Sequence, residues 1–238
     1  MPAPKRPVSR HLPPGLVILY EDRDILVVDK PAGMLTMASE TEKVRTAYHA
    51  LTDYVRKGNP KSRYRIFIVH RLDRETSGVV IFAKTGEAKK ALQEGWPDAV
   101  KTYAAVVHGR MDAKSGLAIS HLVESGVHKV YSIRDTSQGK LARTAWSVAR
   151  EQGKYSLLDI TLLTGRKHQI RVQMADAGHP IAGDKKYGVK GDTFSRLALH
   201  ARSITFAHPF SGVSMTVDSP VPSVFAQLVG RTGPDAGD

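Results

Sequence analysis

"HRLDRETSG", residues 70–78, lies between two short apolar runs, Ile66-Phe67-Ile68-Val69 and Val79-Val80-Ile81-Phe82-Ala83. Both runs are rich in β-branched residues, the composition of buried strands. A buried strand that opens into a charged loop and then resumes as a strand is unusual. It also places a carboxylate, Asp73, near the end of a strand. Such a carboxylate has three common uses: capping a turn, pairing with an arginine for structure, or chemistry. Arg71 and Arg74 flank Asp73, and nearby positive charge favours an ionised carboxylate. An ionised carboxylate acts as a nucleophile or base and not as a general acid.

Outward from this stretch, strand signals dominate. Leu16–Tyr20 and Ile25–Asp29 read as a hairpin around "EDRD", and "KPAGM" turns the chain through Pro31 and Gly33. Ser39 and Glu42 are spaced as a capping box, and Val44, Tyr48, Leu51 and Val55 follow at helical spacing, which predicts a helix over 41–57. A short helix is expected over 87–96 and a strand over 102–107. Residues 110–140 read as irregular short strands, with "HKVYSI" the clearest. Paired strands are expected over 142–149 and 155–163. Thr164 is expected to cap a helix that Gly178 stops. Strands over 197–201, 204–207 and 213–217 and a final helical turn over 224–229 complete the pattern. Many hairpin-connected strands with interspersed helices, and no regular strand–helix alternation, argue for an α+β fold with a largely antiparallel sheet flanked by helices.

The chain has 238 residues, 41% hydrophobic, with a formal net charge of +12. Its length suits one domain, read here as 16–229, between a flexible basic arm at 1–15 and a flexible tail at 230–238. Basic residues are scattered along the chain, which points to a polyanionic partner such as RNA or DNA. There is no cysteine, so disulfides, thiolate metal sites and cysteine nucleophiles are excluded, and a reducing cytoplasm fits. His70, His168, His179, His200 and His208 lack the paired spacing and acidic companions of a metal site. No glycine-rich phosphate loop, dinucleotide fingerprint or serine-hydrolase elbow is present.

Two further stretches carry chemistry-bearing residues. In "LLTGRKHQIRVQ", 162–173, Arg166, Lys167 and His168 lie at the expected helix start and Arg171 one turn on. Cations at a helix N-terminus call for an anion. A phosphate, Asp73 or simply solvent are the alternatives. In "KTYAAVVHG", 101–109, Lys101 and Tyr103 share one strand face. An aromatic beside a cation suits a stacked base and its phosphate, and equally suits half-buried packing.

Taken together, "HRLDRETSG", "KTYAAVVHG", "TGRKHQIRVQMADAGHPIAGDKKYG", "RLALHA" and "HP" occur in an order and spacing that resemble the RluA-type pseudouridine synthases. "VILYEDRDILVVDKPAGML" resembles the opening strands of that catalytic domain. The resemblance runs over about 16–220. It implies the pseudouridine synthase catalytic fold and a reaction in which a uridine in RNA is detached from C1′, rotated and rejoined through C5. No cofactor and no metal are implied, and the expected partner is a structured stem-loop in tRNA or ribosomal RNA. By the same resemblance Asp73 is the catalytic aspartate, Tyr103 lies against the target base and Arg166 pairs with the aspartate. Arg71 contacts RNA near the extruded nucleotide. Arg74, Lys101, Lys167, His168 and Arg171 are expected to contact RNA as well. A monomer is the expected state. The region 112–140 follows no pattern that can be carried over from the family. Two rivals remain at this level, an RNA-binding relative without catalysis and a hydrolase using Asp73 on a glycosidic bond, although no second carboxylate stands out for the latter.

Overall fold

The computed structural model describes residues 12–57, 59, 61–126 and 129–230. Most of the expected arm and of the expected tail lie outside the described residues. In chain order the elements are β1 (Val17–Glu21), β2 (Ile25–Lys30), α1 (Ala47–Val55), β3 (Phe67–Ile68), β4 (Ser77–Ala83), α2 (Gly86–Glu94), β5 (Val100–His108), β6 (Ser115–Glu124), β7 (Val130–Ile133), β8 (Lys140–Gln152), β9 (Tyr155–Leu162), α3 (Gln169–Asp176), β10 (Leu199–Ala207), β11 (Ser214–Asp218) and α4 (Ser223–Leu228). Among the described residues, eleven strands with largely antiparallel pairing and four helices make the fold α+β, as the hairpin-rich pattern predicts. The backbone groups into two compact units. One comprises the described residues up to Val100 with Ala201–Ser219; the other comprises Lys101–His200 with the described residues from Pro220 onward. Among the described residues no helix is long and apolar enough to cross a membrane.

In the first unit the strand order is β1-β2-β4-β10, with β3 on β4 and β11 on β10. Asp22 closes the β1–β2 hairpin. Its Oδ1 accepts the amides of Asp24 and Ile25, each at 2.8 Å, and its Oδ2 meets Tyr20 Oη at 2.9 Å and His208 Nε2 at 2.8 Å. His208 therefore does have acidic companions, Asp22 and Asp24. They escape sequence reading because the turn and the histidine are far apart in the chain. The contacts already made by Asp22 are those of a turn-closing side chain. β2 runs antiparallel to β4, from Ile25 opposite Ala83 to Lys30 opposite Gly78. Every residue of β4 is buried, as are Ile25, Leu26, Val27 and Val28 of β2. Burial on both faces explains why these strands appear in the sequence as continuous apolar runs.

α1 is shorter than expected. Ser39 Oγ does accept the Glu42 amide, at 3.1 Å, but the Glu42 carboxylate turns forward to the amides of Val44 and Arg45. The pair closes an isolated turn, and the helix is capped instead by Thr46, whose side chain accepts from His49 N.

In the second unit the order is β5-β9-β8-β6-β7. The stretch 110–140 is more regular than its sequence suggests. β6 is ten residues long and pairs with both β7 and β8. Its apolar Leu117 and Ile119 face outward, 46% and 58% exposed, while Ala118 and Ser120 lie on the opposite, more covered face. Small and polar residues inside with large apolar ones outside disguise the usual alternation.

α3 is buried without interruption from Gln169 to Met174. Ile170 and Met174, one turn apart, enter a core formed with Val106, Leu158, Ile160 and Phe225. On another side, Gln169 Nε2 donates to Arg143 O at 3.0 Å and to Thr144 Oγ1 at 2.9 Å, and Gln173 Nε2 donates to Ala142 O at 3.1 Å. Arg171, between them, donates from Nε and Nη2 to the two carboxylate oxygens of Asp184, each at 2.8 Å. Asp184 Oδ1 also accepts the amides of Lys186 and Tyr187. Burial alone would raise the Asp184 pKa. Arg171 and the two amides outweigh it and hold the carboxyl below its ordinary 3.8.

Removing one member of such a pair strands the other charge in the interior. Asp184→Asn is expected to lose about 3–5 kcal/mol of stability at neutral pH. A depressed folded pKa gives stability that is present above the unfolded value and lost as pH falls through the folded one. The gap between wild type and Asp184→Asn in urea denaturation should therefore persist at neutral pH and shrink below the ordinary carboxylate range. A gap that is constant down to the most acidic folded condition would contradict the assignment.

Candidate active site

The loop that carries Asp73 is held by its backbone. Lys30 is fully buried, and its Nζ donates to Pro31 O at 2.9 Å, Met34 O at 2.8 Å and Arg74 O at 3.3 Å. The Gly33 amide donates to the same Arg74 carbonyl at 2.8 Å, and Arg74 Nε donates back to Gly33 O at 3.0 Å. On the other side of Asp73, the buried hydroxyl of Thr36 donates to Leu72 O at 3.0 Å and accepts from Leu72 N at 3.2 Å. The Asp73 carbonyl itself accepts from Thr76 N. Residues 72 and 74 are thus both fastened to the segment 30–36, and the half-buried Asp73 sits between the two fastenings. His70, at the loop entrance, accepts the Ile81 amide at Nε2 and stacks on Trp96 with ring centroids 4.4 Å apart. Gly78 closes the loop at φ +115°. A Cβ there would lie 2.1 Å from Ala201 O, so only glycine lets the backbones approach this closely.

Arg71 and Arg74 are both exposed. Arg71 Nη1 lies 3.8 Å from Met37 Sδ, and Arg74 Nε, besides reaching Gly33 O, is 4.0 Å from Glu75. These side chains flank Asp73 in sequence, but their direct contacts lead to Met37, Gly33 and Glu75.

In the second unit, Lys101 and Tyr103 lie on β5, with Tyr103 opposite Ile160 of β9. Tyr103 is half-buried and packs against the unit's core, and burial lowers the Lys101 pKa. The expected helix start at Thr164 lies later, at Gln169. His168 precedes it in the left-handed region, φ 53°. A non-glycine residue there stores about 1–3 kcal/mol of strain. Its Nδ1 lies 2.7 Å from Tyr187 Oη, which also accepts the Val130 amide. Thr164 Oγ1 and Arg166 N both donate to Gln169 Oε1, so the buried glutamine fixes the turn. From that turn Arg166 projects Nε to Leu141 O at 3.0 Å, and Lys167 pairs with Glu124. Both are exposed and line a cleft of about 480 Å³ with Leu122, Gln138 and Lys140.

Arg171 departs from expectation. It is 6% exposed and its guanidinium is engaged by Asp184, which makes it an internal tie and leaves it no surface for RNA. The reason is the all-round burial of α3, whereas the basic sequence suggested a solvated face. The arrangement thus groups Arg71, Asp73 and Arg74 in the first unit, and Lys101, Tyr103, Arg166, Lys167 and His168 in the second.

Sequence reading missed Lys30, Thr36, Gln169, Asp184 and Tyr187. Lys30 carried a faint signal, a lysine ending the strand that opens Ile25-Leu26-Val27-Val28, just before Pro31. The others resemble ordinary polar residues until their partners are seen.

A model of the family described as RNA pseudouridylate synthase matches residues 24–176. The chain is 32% identical over 217 residues to the uncharacterized RNA pseudouridine synthase YhcT of Bacillus subtilis, covering 90% of this chain and 71% of that one. It is 34% identical to ribosomal large subunit pseudouridine synthase C of Buchnera aphidicola, covering 87% and 68%. Among solved structures, human RNA pseudouridylate synthase domain containing 4 superposes with a TM-score of 0.71 at 23% identity, over 88% of this chain and 90% of that one, a likeness of fold. With relatives at this identity aligned along most of its length and the family model reaching from β2 to the end of α3, the chain belongs to the RluA-type RNA pseudouridylate synthases, and is an isomerase that makes pseudouridine in RNA.

Proposed function

We propose that the protein isomerises uridine in large-subunit ribosomal RNA, with Asp73 as the catalytic nucleophile. The observation that carries the catalytic part is the double fastening of Leu72 and Arg74, which fixes the backbone on both sides of one carboxylate. The substrate part rests on relatives named as ribosomal large subunit pseudouridine synthases C and D.

The chemistry needs little else. The N1–C1′ bond breaks, the base turns, and a C5–C1′ bond forms; C5 loses its proton and N1 regains one. Atoms and electrons balance without an external reactant. A uracil within a helix must first be extruded, at a cost of a few kcal/mol. Tyr103 offsets this by lying against the freed base, a contact worth roughly 1–3 kcal/mol. Asp73, on its fastened backbone, then meets either the sugar or the ring, and Arg166 is the guanidinium that the family resemblance assigns to it. Arg71, Arg74, Lys101, Lys167 and His168 supply contacts to the RNA backbone.

Asparagine keeps the size of Asp73 and its hydrogen-bonding oxygen but is no charged nucleophile. Asp73→Asn is expected to fold, bind ribosomal RNA and release no tritium from C5-labelled transcript. Turnover within about tenfold of wild type would remove Asp73 from the chemistry.

Arg166→Lys separates pairing from phosphate contact, because lysine cannot present a planar two-pronged donor. The single-turnover rate at saturating RNA should fall by roughly 10²-fold while affinity changes little. A lowered affinity and salt slope with an unchanged rate would instead make Arg166 a phosphate ligand.

A further inference from the structure

The segment between α1 and β3 reads RKGNPKSRYR, residues 56–65. Five of its ten residues are cationic, Arg56, Lys57, Lys61, Arg63 and Arg65, and none is acidic. Lys57, Lys61, Arg63 and Arg65 are exposed, and Tyr64 between them is 74% exposed. Elsewhere cations find carboxylates, as in Lys84 with Glu21, Lys114 with Glu151 and Lys167 with Glu124. Among the described residues none of the five makes an ion pair. Against a chain total of +12, this one loop concentrates +5.

The loop is nevertheless built. Arg56 Nε donates to Tyr64 O at 3.0 Å and ties its two ends together. Between them, Asn59 N donates to Arg56 O and Ser62 N to Asn59 O, each at 3.0 Å, while Asn59 Oδ1 accepts from Lys61 N. Ser62 Oγ accepts from Tyr64 N at 3.2 Å. Lys61, Arg63 and Tyr64 therefore project from a folded frame whose bonds use other side chains. The basic track continues beyond the loop. The Arg65 guanidinium lies 4.8 Å over the Phe67 ring, and Phe67 lines a shallow cavity of about 530 Å³ with Lys89, Lys90 and Glu94 of α2, where Lys90 lies 3.9 Å from Glu94 and Lys89 has no carboxylate partner among the described residues.

Cations on both sides of an exposed aromatic ring, that of Tyr64, match a phosphate backbone and an unpaired base. An acidic protein would use the charge but not the ring faces. We propose that Lys57, Lys61, Arg63, Tyr64 and Arg65, with Lys89, form a second RNA-contact surface. It holds the backbone of RNA flanking the target nucleotide, with Tyr64 as a stacking platform for an unpaired base. This rests on the reading of RNA as substrate and extends it to residues other than those assigned to the reacting uridine.

The test compares wild type with Lys61→Ala/Arg63→Ala and with Tyr64→Ala. Binding of an oligouridylate of about 30 nucleotides is followed by fluorescence anisotropy over a salt series. Loss of two phosphate contacts should lower the slope of log affinity against log salt by about 1.4 and weaken binding roughly 15-fold near ~0.15 M salt. Tyr64→Ala should lose roughly 5- to 150-fold, with Tyr64→Phe restoring it. Single-turnover rates on large-subunit ribosomal RNA transcript at saturating enzyme should match wild type for all three variants. Unchanged affinity and slope would overturn the proposal. So would a silent Tyr64→Ala combined with equally weakened binding of polyglutamate by the double variant, which would mark a dock for an acidic protein. A wild-type enzyme that makes no pseudouridine in ribosomal RNA would refute the substrate reading instead, and the oligouridylate comparison would still decide the loop.

Discussion

Lys30 Nζ, fully buried at the end of β2, donates to three backbone carbonyls, those of Pro31, Met34 and Arg74. Three acceptors require three N–H donors, which only the ammonium form has. Taking that charge out of water is costly, so the contacts that hold it must be well placed. Two of the carbonyls belong to the turn that follows β2, and the third belongs to the loop that carries Asp73. The ammonium thus welds two segments that are 44 residues apart in the chain. Thr36 repeats the arrangement on the other side of Asp73. The antiparallel register that sets Lys30 opposite Gly78 brings the two segments together in the first place. Gly78 completes it, because its lack of a Cβ lets Ala201 approach.

The second unit solves a parallel problem with different chemistry. Its central helix, α3, is buried on every side, and polar residues make that possible. Gln169 and Gln173 bind β8, Ile170 and Met174 fill the core, and Arg171 is neutralised by Asp184. Asp184 then accepts the amide of Tyr187, whose hydroxyl lies beside His168. Gln169 reaches back to the Arg166 amide. The exposed Arg166 and Lys167 therefore stand on a turn fixed from beneath by an internal polar network. Such networks are rigid when every member is satisfied.

Much of this was legible in the sequence. The apolar run after residue 78, the hairpin at "EDRD" and the paired strands around "EQGK" appear as strands near their expected places, whereas the run before residue 70 is reduced to the two half-buried residues of β3. What was not legible depends on partners distant in the chain. The Ser39–Glu42 spacing looks like a helix start, but nothing local says that Glu42 turns forward. β6 was hidden because it exposes Leu117 and Ile119 and turns inward Ala118 and Ser120. Arg171 looked like an RNA ligand because the signal for burial, Asp184, lies thirteen residues on and is itself an ordinary aspartate in a loop. For the site, Asp73, Tyr103 and Arg166 came from the family resemblance, while the fastenings by Lys30 and Thr36 run through backbone atoms and leave no mark in side-chain pattern.

The central claim is that backbone fastening, in addition to the chemistry of Asp73 itself, sets the competence of the site. Thr36→Val tests it most directly, because valine matches threonine in shape while removing both bonds to Leu72. The measurement is the single-turnover rate of pseudouridine formation on large-subunit ribosomal RNA transcript, alongside RNA affinity. The account predicts a rate lowered by roughly 10²-fold, the cost of a small misplacement of a reacting group, with affinity nearly unchanged. A wild-type rate in a folded Thr36→Val enzyme would contradict it.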